Sequence, residues 1–217
     1  SKSELEDKIN EFRDRIDIAK NDFGKVAGIA WSGGKDSAVI CHLMGNLNCK
    51  HGVYAAPDKF LEYSNFKKYI EDHKPTWVDL VYAGIGWKWL KRNPDALWPD
   101  RWESKKLAAM NKKWNRFKWK TQGAYYHSKN LSFIVTGRRG IDGNDLGGKR
   151  RNRDFSYITK DGVCVVNGIF DWEHEFVLAY IHEYNIVLPD CYYVKNGFWH
   201  GARCWALDSK ESMLEVE

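Results

Sequence analysis

The sequence predicts an α/β fold on a doubly wound, mostly parallel sheet, with a basic helical insertion and an irregular C-terminal tail. Three observations carry this. An apolar run, Lys25–Trp31, passes through the turn Ser32-Gly33-Gly34-Lys35-Asp36-Ser37 into an apolar helix through Met44, the first half of a βαβ unit. Strand-like and helix-like segments then alternate as far as Tyr82, which sets helices on the faces of a parallel sheet. A later strand, Ser132–Gly137, runs into a polar, glycine-rich loop, where such sheets place ligand groups.

Taken in order, residues 4–20 set Leu5, Ile9, Phe12, Ile16 and Ala19 at three- and four-residue steps, the pattern of an amphipathic helix. Asn21-Asp22-Phe23-Gly24 ends it, and the strand–turn–helix unit follows. Gly52–Ala56 reads as the second strand, residues 60–73 as a helix and Trp77–Tyr82 as the third strand. Gly84, Gly86, Pro94 and Pro99 break the alternation, after which residues 104–127 read as a strongly basic helix. The span 83–130 is therefore a basic, tryptophan-rich insertion within a single domain expected to cover residues 1–217. Residues 156–169 form a hairpin turning at Asp161-Gly162. Asp171 is placed as the N-cap of a helix Trp172–Tyr184, and after Leu188-Pro189 the tail is aromatic and irregular.

At 217 residues, 43% hydrophobic and 29% charged, the chain has the size and balance of a soluble globular domain. No apolar run approaches the roughly 20 residues that span a bilayer. The first residues, Ser-Lys-Ser-Glu-Leu-Glu-Asp, are too acidic and polar for a signal peptide, so a cytoplasmic protein without membrane contact is expected. Cys41, Cys49, Cys164, Cys191 and Cys204 form no CxxC pair, which argues against zinc and iron–sulfur sites and for reduced thiols. Neither His174-Glu175 nor His182-Glu183 continues to the second histidine of a zinc-protease motif. Nor is there the Pro-Cys-x-x-Cys of a deaminase. The sequence sets no oligomeric state; a homodimer is the candidate assembly.

Charge is unevenly spread. Residues 83–153 hold 18 Lys/Arg against 5 Asp/Glu, a net +13, which leaves −8 on the rest of a chain of net charge +5. Six of the 11 tryptophans (Trp87, Trp89, Trp98, Trp102, Trp114, Trp119) fall in the same stretch. Such a segment suits a polyanion, with bases stacked on rings and phosphates on lysines. It equally suits an amphipathic cover with Trp102, Leu107 and Trp114 inward.

The most specific pattern is Ser32–Ser37. Between a strand and a helix, backbone N–H groups and the positive helix end converge on an anion. Gly33 and Gly34 let the backbone approach phosphate, Ser32 and Ser37 add hydroxyls, and Lys35 adds a charge-assisted donor. Asp36 opposes phosphate on its own and makes sense as a magnesium ligand or as a helix cap. The spacing differs from G-x-x-x-x-G-K-[ST], since the lysine directly follows two glycines.

With these residues in view, the chain resembles the PP-loop, or adenine nucleotide α-hydrolase-like, superfamily (a Rossmann-like, HUP-type fold). It is closest to the phosphoadenosine phosphosulfate (PAPS) reductase-like branch. Trp31–Leu43 (WSGGKDSAVICHL), then Thr136-Gly137-Arg138-Arg139, then Asp171-Trp172-Glu173-His174 leading to Tyr184 and Pro189 match its motifs in order. The resemblance implies a nucleotide at the ends of the strands. It also implies an enzyme that either splits Mg-ATP into AMP and pyrophosphate, adenylating an acceptor, or holds an adenylyl sulfate such as PAPS.

On this basis Lys35, Asp36 and Arg138 are the expected catalytic residues. Ser32, Gly33, Gly34, Lys35, Asp36, Ser37, Gly137, Arg138 and Arg139 are the expected nucleotide-binding set, with Asp36 as the Mg²⁺ candidate. Lys149, Arg150, Arg151 and Cys204 are candidate substrate residues, and Asp142 and Asp145 would serve either magnesium or turn capping. The chain departs from the sulfonucleotide reductases in its tail, where Gly201-Ala202-Arg203-Cys204-Trp205 replaces their Glu-Cys-Gly-x-His motif. Since ATP-splitting members keep SGGKDS, an ATP pyrophosphatase or nucleotidyltransferase acting on an unidentified acceptor is favoured, a nucleobase or nucleic acid reached through 83–153 included. A PAPS-handling reductase or sulfurtransferase and a non-catalytic nucleic-acid-binding protein are the alternatives.

Overall fold

The computed structural model describes residues 2–56, 64–82, 92, 116, 119–141 and 155–192. The amphipathic pattern at the start forms helix α1 (Lys2–Phe23), which buries Leu5, Ile9, Phe12, Ile16 and Ala19, the five residues whose spacing predicted it. Next come β1 (Ala27–Ala30), α2 (Lys35–Asn46), β2 (Gly52–Ala56), α3 (Ser64–His73) and β3 (Val78–Tyr82). Residues 119–128 form a further helix, α4. The chain then makes β4 (Phe133–Thr136), β5 (Ser156–Ile158), β6 (Cys164–Asn167) and α5 (His174–Glu183), and a 3-10 turn at Asp190–Tyr192. No helix among the described residues is long and apolar enough to cross a membrane.

The six strands form one sheet in the order β3-β2-β1-β4-β6-β5. All neighbours are parallel except β5 and β6, the hairpin predicted from Asp161-Gly162, in which Tyr157 faces Val165. Strand side chains alternate in direction, and the two faces carry separate cores. Phe133 and Val135 point into a core with Phe12, Ile16, Ile40, Trp172 and Val177 from α1, α2 and the α5 segment. Ile134, Val53 and Val165 point the other way, onto Tyr125 and Tyr126 of α4. Helices therefore cover both faces, as the doubly wound prediction requires. Tyr125 donates a hydrogen bond to Asp79 on β3 at 2.9 Å, and Lys129 pairs with the same carboxylate at 3.2 Å, which ties α4 to the sheet.

From β1 the chain steps outward through β2 to β3, then returns across the sheet to lay β4 on the other side of β1. The strand order reverses between β1 and β4. Their diverging connections leave a crevice at their C-terminal ends, the usual ligand position in open α/β sheets.

One expectation is corrected here. Asp171 is not an N-cap: α5 starts two residues later, with Glu173 at the cap position and no side-chain cap bond. Asp171 instead reaches α1, where it accepts from Arg15 at 2.6 Å and Lys8 at 3.0 Å. Arg15, then Lys8, hold its carboxyl below the ordinary carboxylate range. A depressed carboxyl stabilises the fold above its unfolded pKa and loses that contribution as pH falls through the folded value. At pH 7, Asp171→Ala is expected to lower the unfolding free energy by up to about 1 kcal/mol, since the pair is partly solvent-screened. The difference between parent and variant should close on acid titration below about pH 4, as followed by urea unfolding.

Candidate functional site

The loop Ser32–Ser37 folds around its own hydroxyls. The Ser32 N–H donates to Ser37 Oγ at 3.1 Å, Ser37 Oγ donates to the Gly34 carbonyl at 2.8 Å, and the two serine hydroxyls lie 3.1 Å apart. Gly33 takes the left-handed conformation, φ +72°, that lets the chain turn from β1 into α2. Gly34 is the N-cap and offers no side chain to the first turn. Lys35 N–H donates to the Tyr192 hydroxyl at 3.0 Å. The amides of Gly33, Gly34 and Asp36 donate to no acceptor among the described residues, so the positive end of α2 faces the crevice with donors to spare.

The β4 segment closes onto this loop. A Cβ on Gly137 would lie 2.6 Å from the carbonyl carbon of Asp36 and 2.7 Å from its oxygen, so only glycine fits between the two connections. The following arginines divide. Arg138 is exposed and lines the crevice. Arg139 is 7% exposed and turns back to Asp36, with Nε 3.2 Å from Oδ1.

The other oxygen of Asp36 accepts from Lys35 Nζ at 2.6 Å. Lys35 is itself only 5% exposed and is not among the residues lining the crevice. Its ammonium lies against Asp36, which does line the crevice. His174, at the start of α5, belongs to the same neighbourhood; burial first, then the charges of Lys35 and Arg139, hold its imidazole below the ordinary value.

One oxygen of Asp36 accepts from Lys35, while the other, 3.2 Å from Arg139 Nε, is buried without a hydrogen-bond partner, and Asp36 lines the crevice. Asp142, Asp145, Lys149, Arg150, Arg151 and Cys204 lie outside the described residues, as does most of the 83–130 insertion.

The crevice is a cavity of about 460 Å³. Ser32, Gly34, Asp36, Ser37 and Arg138 line it together with Trp119, Gln122 and Tyr126 of α4, and with Tyr157 and Tyr192. Sequence reasoning missed Gln122, Tyr126 and Tyr157. Residues 119, 122 and 126 follow a helical i, i+3, i+7 spacing within the basic stretch, which would have pointed to one face. A second cavity, about 350 Å³, lies on the α2 face between Trp31, His42, Tyr69, Trp77 and Tyr184. Cys41 lines it, and burial pushes this thiol up to about 12; Cys49 is raised as well, again chiefly by burial. Neither these thiols nor Cys164 line the crevice.

The chain matches no protein-family model, and no curated protein matches it by sequence. Among solved structures it is similar to the phosphoadenylyl-sulfate (PAPS) reductase from Candida auris in its phosphate complex. That likeness has a TM-score of 0.54 at 16% identity and covers 82% of each chain. It is also similar to the U34-tRNA thiolase NcsA from Methanococcus maripaludis with its 4Fe-4S cluster. There the TM-score is 0.46 at 12% identity, over 89% of this chain and 70% of that one. The reductase likeness establishes a shared fold, and the resemblance to PP-loop proteins read from the sequence is borne out at that level.

Proposed function

We propose that this chain is a PP-loop enzyme that binds ATP with its phosphates over Ser32–Ser37 and splits it between the α and β phosphates, adenylating an acceptor. The observation that carries the reading is the meeting of two connections in one cavity at the point where the strand order reverses. The Ser32–Ser37 loop arrives from β1 and Gly137-Arg138 from β4. Spare loop amides and the end of α2 offer positive charge where phosphate would sit, and Arg138 offers a guanidinium beside them.

In the proposed reaction an acceptor oxygen attacks the α-phosphorus. A P–O bond forms there, the bond to the bridging oxygen breaks, and pyrophosphate leaves with that electron pair. The chain supplies donors aimed at the charge gathering on the phosphate oxygens, the main source of rate in such transfers. The Lys35–Asp36–Arg139 network keeps those donors in place as a positioning element. Magnesium would come with the nucleotide, held mostly by phosphate oxygens and water; no step is assigned to it.

The fold shared with a PAPS reductase keeps a second reading in play, a PAPS-handling enzyme. None of Cys41, Cys49 and Cys164 lines the crevice, and Cys204 lies outside the described residues. The test is thermal unfolding with Mg-ATP, PAPS and inorganic phosphate, in the parent and in Arg138→Ala. A ligand at 100 times its dissociation constant stabilises by about 2.7 kcal/mol. Mg-ATP is expected to raise Tm in the parent. In Arg138→Ala the affinity should fall roughly tenfold while the unliganded Tm stays within about 0.5 kcal/mol of the parent, because the side chain is exposed. A shift with PAPS alone selects the second reading. No shift with any ligand overturns both.

A further inference from the structure

The wall of the crevice contributed by α4 has properties that phosphate binding does not require. Gln122 is 8% exposed and lines the cavity, yet its carboxamide makes no hydrogen bond to any described residue. One turn on, Tyr126 is 4% exposed, and its buried hydroxyl has no partner. Burial also raises this phenol, so the hydroxyl is protonated and able to donate at neutral pH. A buried hydroxyl without a partner is costly unless a ligand satisfies it, and the Gln122 carboxamide one turn away is open to pair with the same ligand. Between them they supply donors and an acceptor. Trp119, 56% exposed, and Tyr157 line the same cavity and offer flat apolar surface. A polyphosphate carries neither a flat apolar face nor an edge of mixed donors and acceptors. A nucleobase carries both, and a carboxamide can pair with a base edge through two hydrogen bonds.

We propose that the α4 face formed by Trp119, Gln122 and Tyr126 is a nucleobase-reading wall, in which Gln122 and Tyr126 hydrogen-bond the edge of a base ring packed against the aromatic side chains. The base has two chemical sources, the bound nucleotide itself or a nucleoside presented as acceptor. The proposal rests on the nucleotide reading of the crevice, and it gives a role to the basic, tryptophan-rich insertion to which α4 belongs. The face is held rigidly, because the adjacent Tyr125 and Lys129 anchor α4 to Asp79. Selectivity in a site of this kind comes from pairing the ligand's polar edge, and a ligand lacking that edge leaves buried groups unmatched.

The test measures dissociation constants of Mg-ATP, Mg-GTP, Mg-CTP, Mg-UTP and inorganic tripolyphosphate, together with the four nucleosides alone and on protein saturated with tripolyphosphate. Parent, Gln122→Leu and Tyr126→Phe are compared. Tyr126→Phe removes only an unpartnered hydroxyl, so it tests the wall even if Gln122→Leu folds poorly. The parent is expected to prefer one base by about tenfold or more, and each variant to flatten that preference while keeping the parent's affinity for tripolyphosphate. A preference within the triphosphates identifies the nucleotide's own base. A preference confined to nucleosides on tripolyphosphate-loaded protein identifies the acceptor. Tripolyphosphate binding without any base preference overturns the wall and leaves the phosphate reading standing, as does a preference that both variants retain. Failure of every phosphate ligand overturns the phosphate reading, and the nucleosides alone then decide the wall by the same comparison.

Discussion

Asp36→Ala is expected to destabilise the protein by about 3 kcal/mol, near the lower end of the range for breaking a buried ion pair. Its carboxylate lies between Lys35 Nζ at 2.6 Å and Arg139 Nε at 3.2 Å, and the two cationic side chains are only 6% and 7% exposed. Removing the carboxylate takes the ion-pair partner from the buried ammonium of Lys35, which costs more than the lost attraction alone. Asp36 itself is 25% exposed, so water entering the gap recovers part of the loss and holds the estimate at the lower end. Urea unfolding at pH 7 reads the effect. A double-mutant cycle with Lys35→Met sharpens it: the double variant should lose clearly less than the sum of the singles, because one stranded cation has gone. A loss below about 0.5 kcal/mol, the scale of an ordinary surface substitution, would mean that Asp36 does not neutralise the pair.

Gly137→Ala should remove both stability and ligand response. The added methyl would sit 2.6 Å from the carbonyl carbon of Asp36 and 3.0 Å from the amide nitrogen of Ser37. These are backbone atoms in the first turn of α2, so no side chain can rotate out of the way. The β4 connection must then move off the loop, at a cost of about 1–3 kcal/mol in the usual range for overpacking. The same movement separates Arg138 from the loop amides, so the rise in Tm on adding Mg-ATP is expected to vanish. Thermal unfolding with and without nucleotide gives both numbers. A variant that keeps the parent's Tm and its ligand shift would show that the two connections do not need this approach.

Much of the framework was legible because it rests on local patterns. The three- and four-residue steps of Leu5, Ile9, Phe12, Ile16 and Ala19 named the buried face of α1 residue by residue. Short apolar runs marked β1 to β4 to within about two residues, the usual uncertainty at element ends. The loop between β1 and α2 announced itself, since paired glycines between an apolar run and an apolar helix mark a tight turn. Gly137-Arg138 after β4 was legible from the apolar run before it.

Side-chain partners were not. Asp171 had the residue type and position of an N-cap, but Arg15 and Lys8, more than 150 residues earlier, offered two cations and took it. Arg138 and Arg139 follow β4 side by side in sequence, yet one lines the crevice and the other meets Asp36. The ion pair of Lys35 with its neighbour Asp36 is likewise a contact that the motif did not announce.

By itself, then, the sequence determined the class of fold, the order of its described elements and the glycine- and hydroxyl-rich turn between β1 and α2, all set by neighbours within a few residues. Tertiary structure alone decided that β4 lies beside β1, that Gly137 touches Asp36, and that Gln122 and Tyr126 line the same crevice as the loop. Those placements come from the reversal of strand order and from the packing of α4 onto Ile134 and Val53. Contacts of that kind join residues far apart in the chain, and no local periodicity records them.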